Sequence, residues 1–449
     1  MSIFRRISTA ALLSAAAVAF ATPASATEGY AAIGFGARHK ALAGAGAADS
    51  RDATAASLNP AGLTHVGNEI VFSISAFNPE RGFSTDSAGP VLPGPISVDS
   101  DKPWFFIPNM AISTRAFANP LFDVLAFSMV GNGGMNSNYP GFPNTSPFCG
   151  GTPQQGPFCF GRTGVNLLQM VMSVAMAKQI APGISVGIAP MAALQSFESR
   201  GLQLFNGFSV PGGVIENQEN DWGYGFGLRG GIEIQPMQNV RIGVTGTTPF
   251  AMSKMNHYTG LFAEAGGFDI PASLQVGLAV DVNPALTLMF DWRHIWFSTI
   301  DSVGNPSTNI LGCFGNPNFC LGGSNGPGFG WKDVDAFKFG IEYRHSDKLT
   351  LRGGYAYNTQ PVQSRDVTFN IIAPAVTQHH ITAGLAYDLG GGYTLELSGM
   401  YAPKVSVTGP ELFDQIFGAG TQNVTLEMHQ YEVTMGIKYK FGEPEAPLK

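Results

Sequence analysis

The sequence predicts an all-β protein, a 14-stranded antiparallel transmembrane β-barrel with an N-terminal hatch plugging the lumen. Three observations predict it. The chain begins with an export signal, fourteen later segments alternate apolar and polar residues, and the connections between them are short and long in strict turn. Alternating segments of about ten residues with this loop pattern are typical of outer-membrane barrels.

The first 26 residues have the order of a secretory signal peptide. Arg5 and Arg6 precede an apolar run over 10–21, and Ala24-Ser25-Ala26 is a small-residue cleavage pattern. The run is too short to span a bilayer, and no other stretch reaches ~18 consecutive apolar residues, so no helical span is expected. A free N-terminal helix is the alternative. We expect the mature chain to start at Thr27.

The composition is unusual for a soluble protein of 449 residues. Charged residues make up 13% of the chain, about half the ~25% of typical soluble domains, and there are 57 glycines. The net charge of −7 provides no basic patch, so no nucleic-acid partner is expected. The composition favours a membrane setting, with outer-membrane lipid as the surrounding phase.

Four cysteines fall in two close pairs within loops rich in Gly, Pro and Asn. Local pairing closes short loops at low entropic cost, which favours disulfides Cys149 with Cys159 and Cys313 with Cys320. A metal site built from four thiolates is the alternative, but the usual CxxC spacing is missing. No metal site and no cofactor are therefore predicted.

Period-two alternation defines fourteen candidate strands after residue 68. They lie at 69–80, 104–117, 122–133, 165–178, 184–198, 222–235, 240–252, 272–282, 286–297, 334–344, 349–358, 378–388, 393–402 and 425–441. In the last of them, Val433, Met435 and Ile437 alternate with polar residues that include Lys438 and Lys440.

The apolar face of these strands is expected to point outward. Fourteen strands enclose too wide a space for apolar side chains to fill it. An apolar side chain facing lipid avoids a cost of ~1.5–3 kcal/mol for water exposure, whereas a lysine at the bilayer midplane costs ~2–4 kcal/mol. The sequence thus predicts an apolar outer face and a polar lumen.

Connections of two kinds alternate along the chain. Three- to five-residue turns with Pro, Gly, Asn or Asp alternate with long loops, which follow every odd-numbered strand at 84–103, 134–164, 199–221, 253–271, 298–333, 359–377 and 403–424. Short turns on one rim and long loops on the other are typical of an outer-membrane barrel. A soluble multi-sheet sandwich is the alternative, and it would not need this rule.

Residues 27–67 do not alternate and are rich in Ala and Gly. The segment contains Asn59-Pro60-Ala61, where Pro60 fixes a defined turn. A compact small-residue segment ahead of a wide barrel suits a lumen hatch, and a disordered periplasmic tail is the alternative. We predict a hatch over 27–67, a barrel over 68–441 and a short periplasmic tail over 442–449.

The chain resembles the FadL family of outer-membrane long-chain fatty acid transporters. The resemblance is carried by Asn59-Pro60-Ala61, by IPNMA over 107–111, by Gly131, Gly133 and Gly134, and by WKDVDAFKFGIEY over 331–343. It runs from Gly29 to Phe441. The resemblance implies a multi-pass, monomeric barrel in the outer membrane of a Gram-negative bacterium.

The resemblance also implies a passive mechanism without catalysis. A hydrophobic ligand is captured between extracellular loops and passes to an internal pocket. It leaves through the wall at a kink in strand three when the N-terminus moves. Asn59, Pro60 and Ala61, with Gly131, Gly133 and Gly134, are then the gating residues. Interior glycines in a strand mark a bulge or kink, and an ordinary strand end is the alternative.

The predicted ligand is a long-chain fatty acid or another hydrophobic small molecule. Apolar residues in the outward loops suggest the site, among them Leu202, Phe205, Phe208, Leu261 and Phe262. The alternative is that these residues pack the loops onto each other. By resemblance, Tyr30 matches an aromatic residue of the internal pocket and Lys332 a basic residue that holds the carboxylate. Lys332 could instead form a surface ion pair.

The family's second basic residue, an arginine of strand five, has no clean counterpart. Ser196 stands at that point and Arg200 follows a few residues later. Its loss favours a channel for aromatic or other hydrocarbons as the alternative function. A hydrophilic porin would lack a hatch, and an enzyme would need a nucleophile with a positioned base, which no motif here provides.

Overall fold

The computed structural model describes residues 27–101, 104–150, 155–216 and 218–442. Within them, fourteen strands form a closed antiparallel barrel, which confirms the predicted fold class. The strands are β1 (Glu69–Thr85), β2 (Phe105–Thr114), β3 (Val124–Asn136), β4 (Gly164–Ala181), β5 (Ile184–Arg200), β6 (Asp221–Met237), β7 (Val240–Thr247), β8 (Ser273–Asn283), β9 (Leu286–Ile295), β10 (Val334–Arg344), β11 (Leu349–Asn358), β12 (His379–Gly390), β13 (Tyr393–Pro410) and β14 (Asn423–Lys440).

The barrel closes where the last strand pairs with the first. Their register runs from Glu69 opposite Lys440 to Thr85 opposite Val424. Every other wall strand pairs with its neighbours in chain order. Because the strand count is even and all pairs are antiparallel, both ends of the wall lie on the rim that carries the short turns.

The alternation in β14 has the predicted orientation. Val433 and Met435 are 50% and 56% exposed, whereas Glu432, Thr434 and Lys438 are buried against the lumen. Aromatic pairs stack across β13 and β14 at two heights, Tyr393 with Tyr439 at 4.4 Å and Tyr401 with Tyr431 at 5.1 Å between ring centroids. Such rings are typical of the interfacial girdles that flank an apolar band.

The two rims differ as predicted, since the long connections hold all eleven helical turns that lie outside residues 27–67 in the described part of the chain. These are Pro147–Cys149, Gln203–Phe208, Asn256–Tyr258, Ala263–Gly266, Phe297–Thr299, Asp301–Gly304, Ser307–Phe314, Pro317–Phe319, Ser364–Asp366, Val367–Asn370 and Leu412–Phe417. Two short strands, Ile96–Asp99 and Ala251–Met252, pair with β1 and β6. Both predicted disulfides are formed, with sulfur–sulfur distances of 1.95 Å for Cys149–Cys159 and 1.98 Å for Cys313–Cys320.

Several strand ends differ from the predicted ones. β1 and β13 continue to Thr85 and Pro410, because they pair with β14 beyond the predicted ends. β7 ends at Thr247, before Pro249, which cannot donate a ladder hydrogen bond. The predicted signal peptide at 1–26 and all but Gly442 of the predicted tail lie outside the described residues.

The N-terminal segment, residues 27–67, is folded against the inner wall. It contains helix α1 (Gly36–Ala41) and two 3-10 turns, Ala53–Ser57 and Pro60–His65. α1 contacts β11 to β14 and β1, and the two turns contact β1 to β6. Within the described residues, no helix is long and apolar enough to cross a membrane.

Buried ion pairs fix α1 to the wall. Arg38 contacts Asp49 at 2.5 Å and Glu342 of β10 at 3.1 Å, and Lys40 pairs with Glu432 of β14. Moving the helix would break these pairs and leave buried charges without partners, which is costly. Each pair therefore also fixes the position of the helix. Ion pairs thus add to apolar packing in holding the N-terminal segment inside the polar lumen.

Candidate functional site

An apolar cavity lies among the long loops. It encloses about 510 Å³ of space, part of it open to solvent. Its lining is aromatic and aliphatic, with Ser302 as the one hydroxyl: Phe158, Val165, Phe197, Leu202, Phe205, Leu261, Phe262, Ser302, Leu321, Pro327, Gly328, Phe329, Phe369 and Ile372. No charged side chain belongs to the lining in the described part of the chain. A cavity of this kind is suited to an apolar ligand.

Four of the eight predicted ligand-binding residues line this cavity: Leu202, Phe205, Leu261 and Phe262. Phe208 packs beside it, with its ring centroid 5.6 Å from that of Phe413. The same rings also pack on each other, as Phe205 does on Phe158 at 5.0 Å. The same apolar loop residues therefore line the cavity and pack the loops onto each other.

The two predicted basic ligands lie elsewhere. Lys332 is exposed and is not part of the cavity lining. Arg200 pairs with Glu198 at 2.6 Å, which takes up its charge. Neither residue brings a positive charge to the cavity, so a carboxylate there would lack the charge-assisted hydrogen bond that its burial requires.

Tyr30 lies at the inner end of the same apolar cluster. Its ring centroid is 4.9 Å from that of Phe297, 5.7 Å from Trp331 and 6.0 Å from Phe268. Phe268 in turn contacts Phe262 of the cavity at 4.8 Å. A continuous path of aromatic rings therefore leads from the loop cavity to the start of the N-terminal segment. Burial raises the pKa of the Tyr30 hydroxyl, which stays protonated.

Glu28 anchors this end of the segment. Its carboxylate is fully buried and pairs with Arg293 of β9 at 2.8 Å and with Lys338 of β10 at 2.7 Å. The Lys338 ammonium also donates to the carbonyl of Ile33 at 3.0 Å. Breaking such a buried pair costs ~3–5 kcal/mol, because the partner is left as an uncompensated charge.

β3 is kinked where the three predicted gating glycines stand. The β3–β4 register shifts between Gly131 and Gly133, so Asn132 is an extra residue in the strand. The pairing of β3 with β2 runs from Leu125 only as far as Val130, opposite Asn109. Residues 131–136 continue to pair with β4, and among the described residues no ladder joins β2 and β3 at that height.

The N-terminal segment occupies the kink. Ala32 donates to the carbonyl of Asn132 at 3.0 Å, and Gly134 donates to the carbonyl of Tyr30 at 2.9 Å. A β-carbon on Gly133 would lie 2.2 Å from the Tyr30 oxygen, so this contact requires glycine. Residues 30–32 thus pair with the part of β3 that β2 leaves unpaired.

A second, smaller cavity lies beside the kink. Phe77, Phe105, Met135, Pro374 and Met428 give it apolar walls, and Arg81 stands over the Phe105 ring at 5.6 Å. Gly134 also lines it, so the cavity reaches the kinked end of β3. Apolar surface therefore lies on both sides of the contact between Tyr30 and β3, in the aromatic cluster around Tyr30 and in this small cavity.

The Asn59-Pro60-Ala61 turn fastens the segment to the wall at β6. The Asn59 side chain accepts from the Ala61 amide at 3.1 Å and donates to the carbonyl of Ala47 at 2.7 Å and of Ile232 at 3.2 Å. Pro60 begins the 3-10 turn that follows. The hydrogen bonds of Asn59 hold the segment against β6.

His39 on α1 is buried, and the nearby acids do not offset the cost of burying its protonated form. Burial lowers its pKa to about 4, while Asp52 and Glu396 act to raise it and Arg38 and Arg352 to lower it. Its Nδ1 lies 3.4 Å from the Thr54 hydroxyl. The imidazole is neutral near pH 7, so acid disfavours this position of α1.

Sequence reasoning missed Glu28 and Phe297. Arg293 and Lys338 share the inward parity of their strands, which signals that each needs a buried acid. No local pattern identifies that acid as Glu28, 265 residues from Arg293. Within the described ranges, no group of three or more His, Cys, Asp or Glu residues could hold a metal ion.

Most of the chain matches the model of a known protein family. The family model described as outer membrane protein transport protein (OMPP1/FadL/TodX) matches residues 12–441. No curated protein sequence matches this chain.

Among solved structures, the P. putida toluene transporter TodX is 14% identical, with a TM-score of 0.62 over 92% of this chain and 99% of that one. A Pseudomonas aeruginosa FadL homologue is also 14% identical, with a TM-score of 0.65 over 92% and 100%. The Ralstonia pickettii toluene transporter TbuX is 17% identical, with a TM-score of 0.59 over 91% and 99%. At these identities the likeness is one of fold.

Proposed function

Because the chain belongs to the outer membrane protein transport family (OMPP1/FadL/TodX), we propose that it is a passive channel for uncharged hydrophobic compounds, with small aromatic hydrocarbons as the best-fitting class. It is an outer-membrane β-barrel that transports hydrophobic molecules.

The observation that carries the proposal is the uncharged lining of the loop cavity. The lining has one hydroxyl and no basic group in the described residues, while Lys332 is exposed and Arg200 is paired with Glu198. Burying a carboxylate without a partner costs several kcal/mol, whereas a toluene-sized molecule loses nothing by leaving water. We therefore prefer an aromatic hydrocarbon to the long-chain fatty acid expected from the sequence.

The names of two solved relatives support this ligand class. TodX and TbuX are both described as toluene transporters. A porin for hydrophilic solutes fits less well, because the N-terminal segment contacts the wall on β1 to β6 and on β11 to β14. The family comprises transport proteins, which supports a role without catalysis.

The proposed route has three stages. The ligand enters the loop cavity from outside and moves along the aromatic rings to Tyr30. Displacement of residues 28–32 then opens the unpaired wall between β2 and β3, through the small cavity at Phe105 and Met135. The concentration gradient drives the movement, and one barrel provides the complete path.

Uptake by intact cells tests the proposal. The protein is produced in a Gram-negative host that lacks channels of this family, and radiolabelled toluene and oleate are offered separately at low concentration. We expect faster toluene uptake than in cells without the protein, little change for oleate, and no effect of Lys332→Ala on either. Rapid oleate uptake that Lys332→Ala abolishes would restore the fatty acid and refute the proposed ligand class.

A further inference from the structure

A buried arginine on the inner wall has no acidic partner. Arg229 of β6 is 9% exposed, and its Nε donates to the Thr247 hydroxyl at 3.0 Å. Among the described residues, no carboxylate oxygen lies within 4.0 Å of its guanidinium, whereas Arg38, Arg241, Arg293 and Arg352 all have ion pairs. Arginine cannot lose its proton in a protein, so this buried charge requires a counter-ion.

Arg229 lines a cavity between the N-terminal segment and strands β6 to β9. Part of the lining is polar, with Arg229, Arg293 and Thr247 on the wall, and part is apolar, with Phe35 and Leu58 on the segment. The cavity encloses about 350 Å³, including space open to solvent. No acidic side chain belongs to its described lining.

The neighbouring arginine already has a carboxylate partner. Arg293 donates to Glu28 at 2.8 Å and to the carbonyl of Ala32 at 3.1 Å. Arg229 is thus the guanidinium of the cavity that has no carboxylate partner among the described residues, and its charge is open to an anion. A singly charged oxyanion matches it better than a doubly charged one, because a second negative charge would be buried without a partner.

We propose that this cavity binds a small organic monocarboxylate, with its carboxylate on Arg229 and its apolar body against Phe35 and Leu58. Guanidinium and carboxylate form paired, charge-assisted hydrogen bonds, and the Thr247 hydroxyl is a further polar contact at the same end. The apolar end of the cavity distinguishes this ligand from an inorganic anion. The site goes beyond the proposed channel, whose own cavity is uncharged.

Calorimetric titration of benzoate into the purified full-length protein in detergent tests the site. We expect saturable binding that falls at least tenfold in Arg229→Gln and is unchanged in Lys440→Gln, which removes one positive charge at the short-turn rim. Benzamide, which has the same shape without the charge, is expected not to bind. Equal binding of benzoate to Arg229→Gln and to the unaltered protein, or of benzamide and benzoate, would overturn the proposal.

Thermal unfolding separates a ligand site from a structural role. Without benzoate, Arg229→Gln is expected to melt at the same temperature as the unaltered protein or higher, because an unpaired buried charge has been removed. A lower melting temperature would mean that Arg229 serves the fold, and stronger binding of chloride or phosphate than of benzoate would exclude the apolar end. Toluene uptake is measured on the same variant, so failure of this site leaves the channel proposal standing.

Discussion

The amide of Gly134 donates a hydrogen bond to the carbonyl of Tyr30 at 2.9 Å, which joins the kinked end of β3 to the start of the N-terminal segment. The same tyrosine lies at the end of the aromatic path from the loop cavity. A ligand that reaches Tyr30 therefore acts on a residue that also covers the unpaired wall. This coupling links ligand binding to the proposed opening.

Gly133→Ala is expected to open the gate. Its β-carbon would lie 2.2 Å from the Tyr30 oxygen, so residues 30–32 must move away from β3. We expect a higher basal ion conductance in planar bilayers. Gly230→Ala on β6 is the matched control, since its β-carbon would meet nothing within 4 Å. Equal conductance of the two variants would argue against contact of the segment with the kink.

Glu28→Gln is expected to loosen the same end of the segment. The change leaves Arg293 and Lys338 without their buried acid, at a cost of about 3 kcal/mol. Amide hydrogen exchange over residues 28–33 should become roughly a hundredfold faster. The exposed pair of Lys254 and Glu264 provides the control Glu264→Gln, which should not change it. Unaltered exchange in Glu28→Gln would contradict the anchoring role.

Leu261→Gln is expected to weaken toluene binding about tenfold. The amide would place polar atoms in an apolar lining, and covering them with toluene costs ~1–3 kcal/mol. Leu261 is only half-buried, so the loops should keep their fold, and Leu261→Met preserves the apolar lining as a control. Intrinsic fluorescence titration measures both affinities. Equal affinities in the two variants would place the ligand outside this cavity.

The stability of α1 in its position against the wall is expected to fall in acid. The His39 pKa is about 4 in place and 6.5 when the helix is released, so the released form takes up a proton first as pH falls. Stability present above pH 6.5 is lost down to pH 4, by up to about 3 kcal/mol. Hydrogen exchange over 36–41 should accelerate in that window, and His39→Gln should remove the dependence.

His345→Gln is the control for that experiment, because it changes an exposed histidine in a tight turn. It should leave the pH dependence of exchange over 36–41 as it is. A dependence that persists in His39→Gln would assign the effect to another group near α1.

The alternation of side chains made the barrel predictable. A strand between lipid and a polar lumen must place apolar residues on one face and polar residues on the other, and successive side chains point to opposite faces. Ile437 and Lys438 could be assigned to opposite faces from the sequence alone. Lys332 could not be placed in the same way, although it shares the parity of the inward Lys338. It lies two residues before β10 begins, where no ladder fixes the direction of a side chain.

The contacts of the N-terminal segment were beyond prediction for a related reason. That segment has no period, and Glu28 meets Arg293 across 265 residues of chain. The glycines of β3 signalled a kink. The pairing of Gly134 with Tyr30 depends on where folding places the first residues of the segment, which no local pattern indicates. Cysteine pairing was predictable because both disulfides close short local loops.

The most direct measurement is a crystal structure of the protein soaked with 4-bromotoluene, in which anomalous scattering locates the bromine. We expect one bromine site in the cavity lined by Phe205, Leu261 and Phe262, and a second beside Phe105 and Met135 at the kink. Bromine found only in the polar opening lined by Arg344, Lys348 and Lys440 would contradict it.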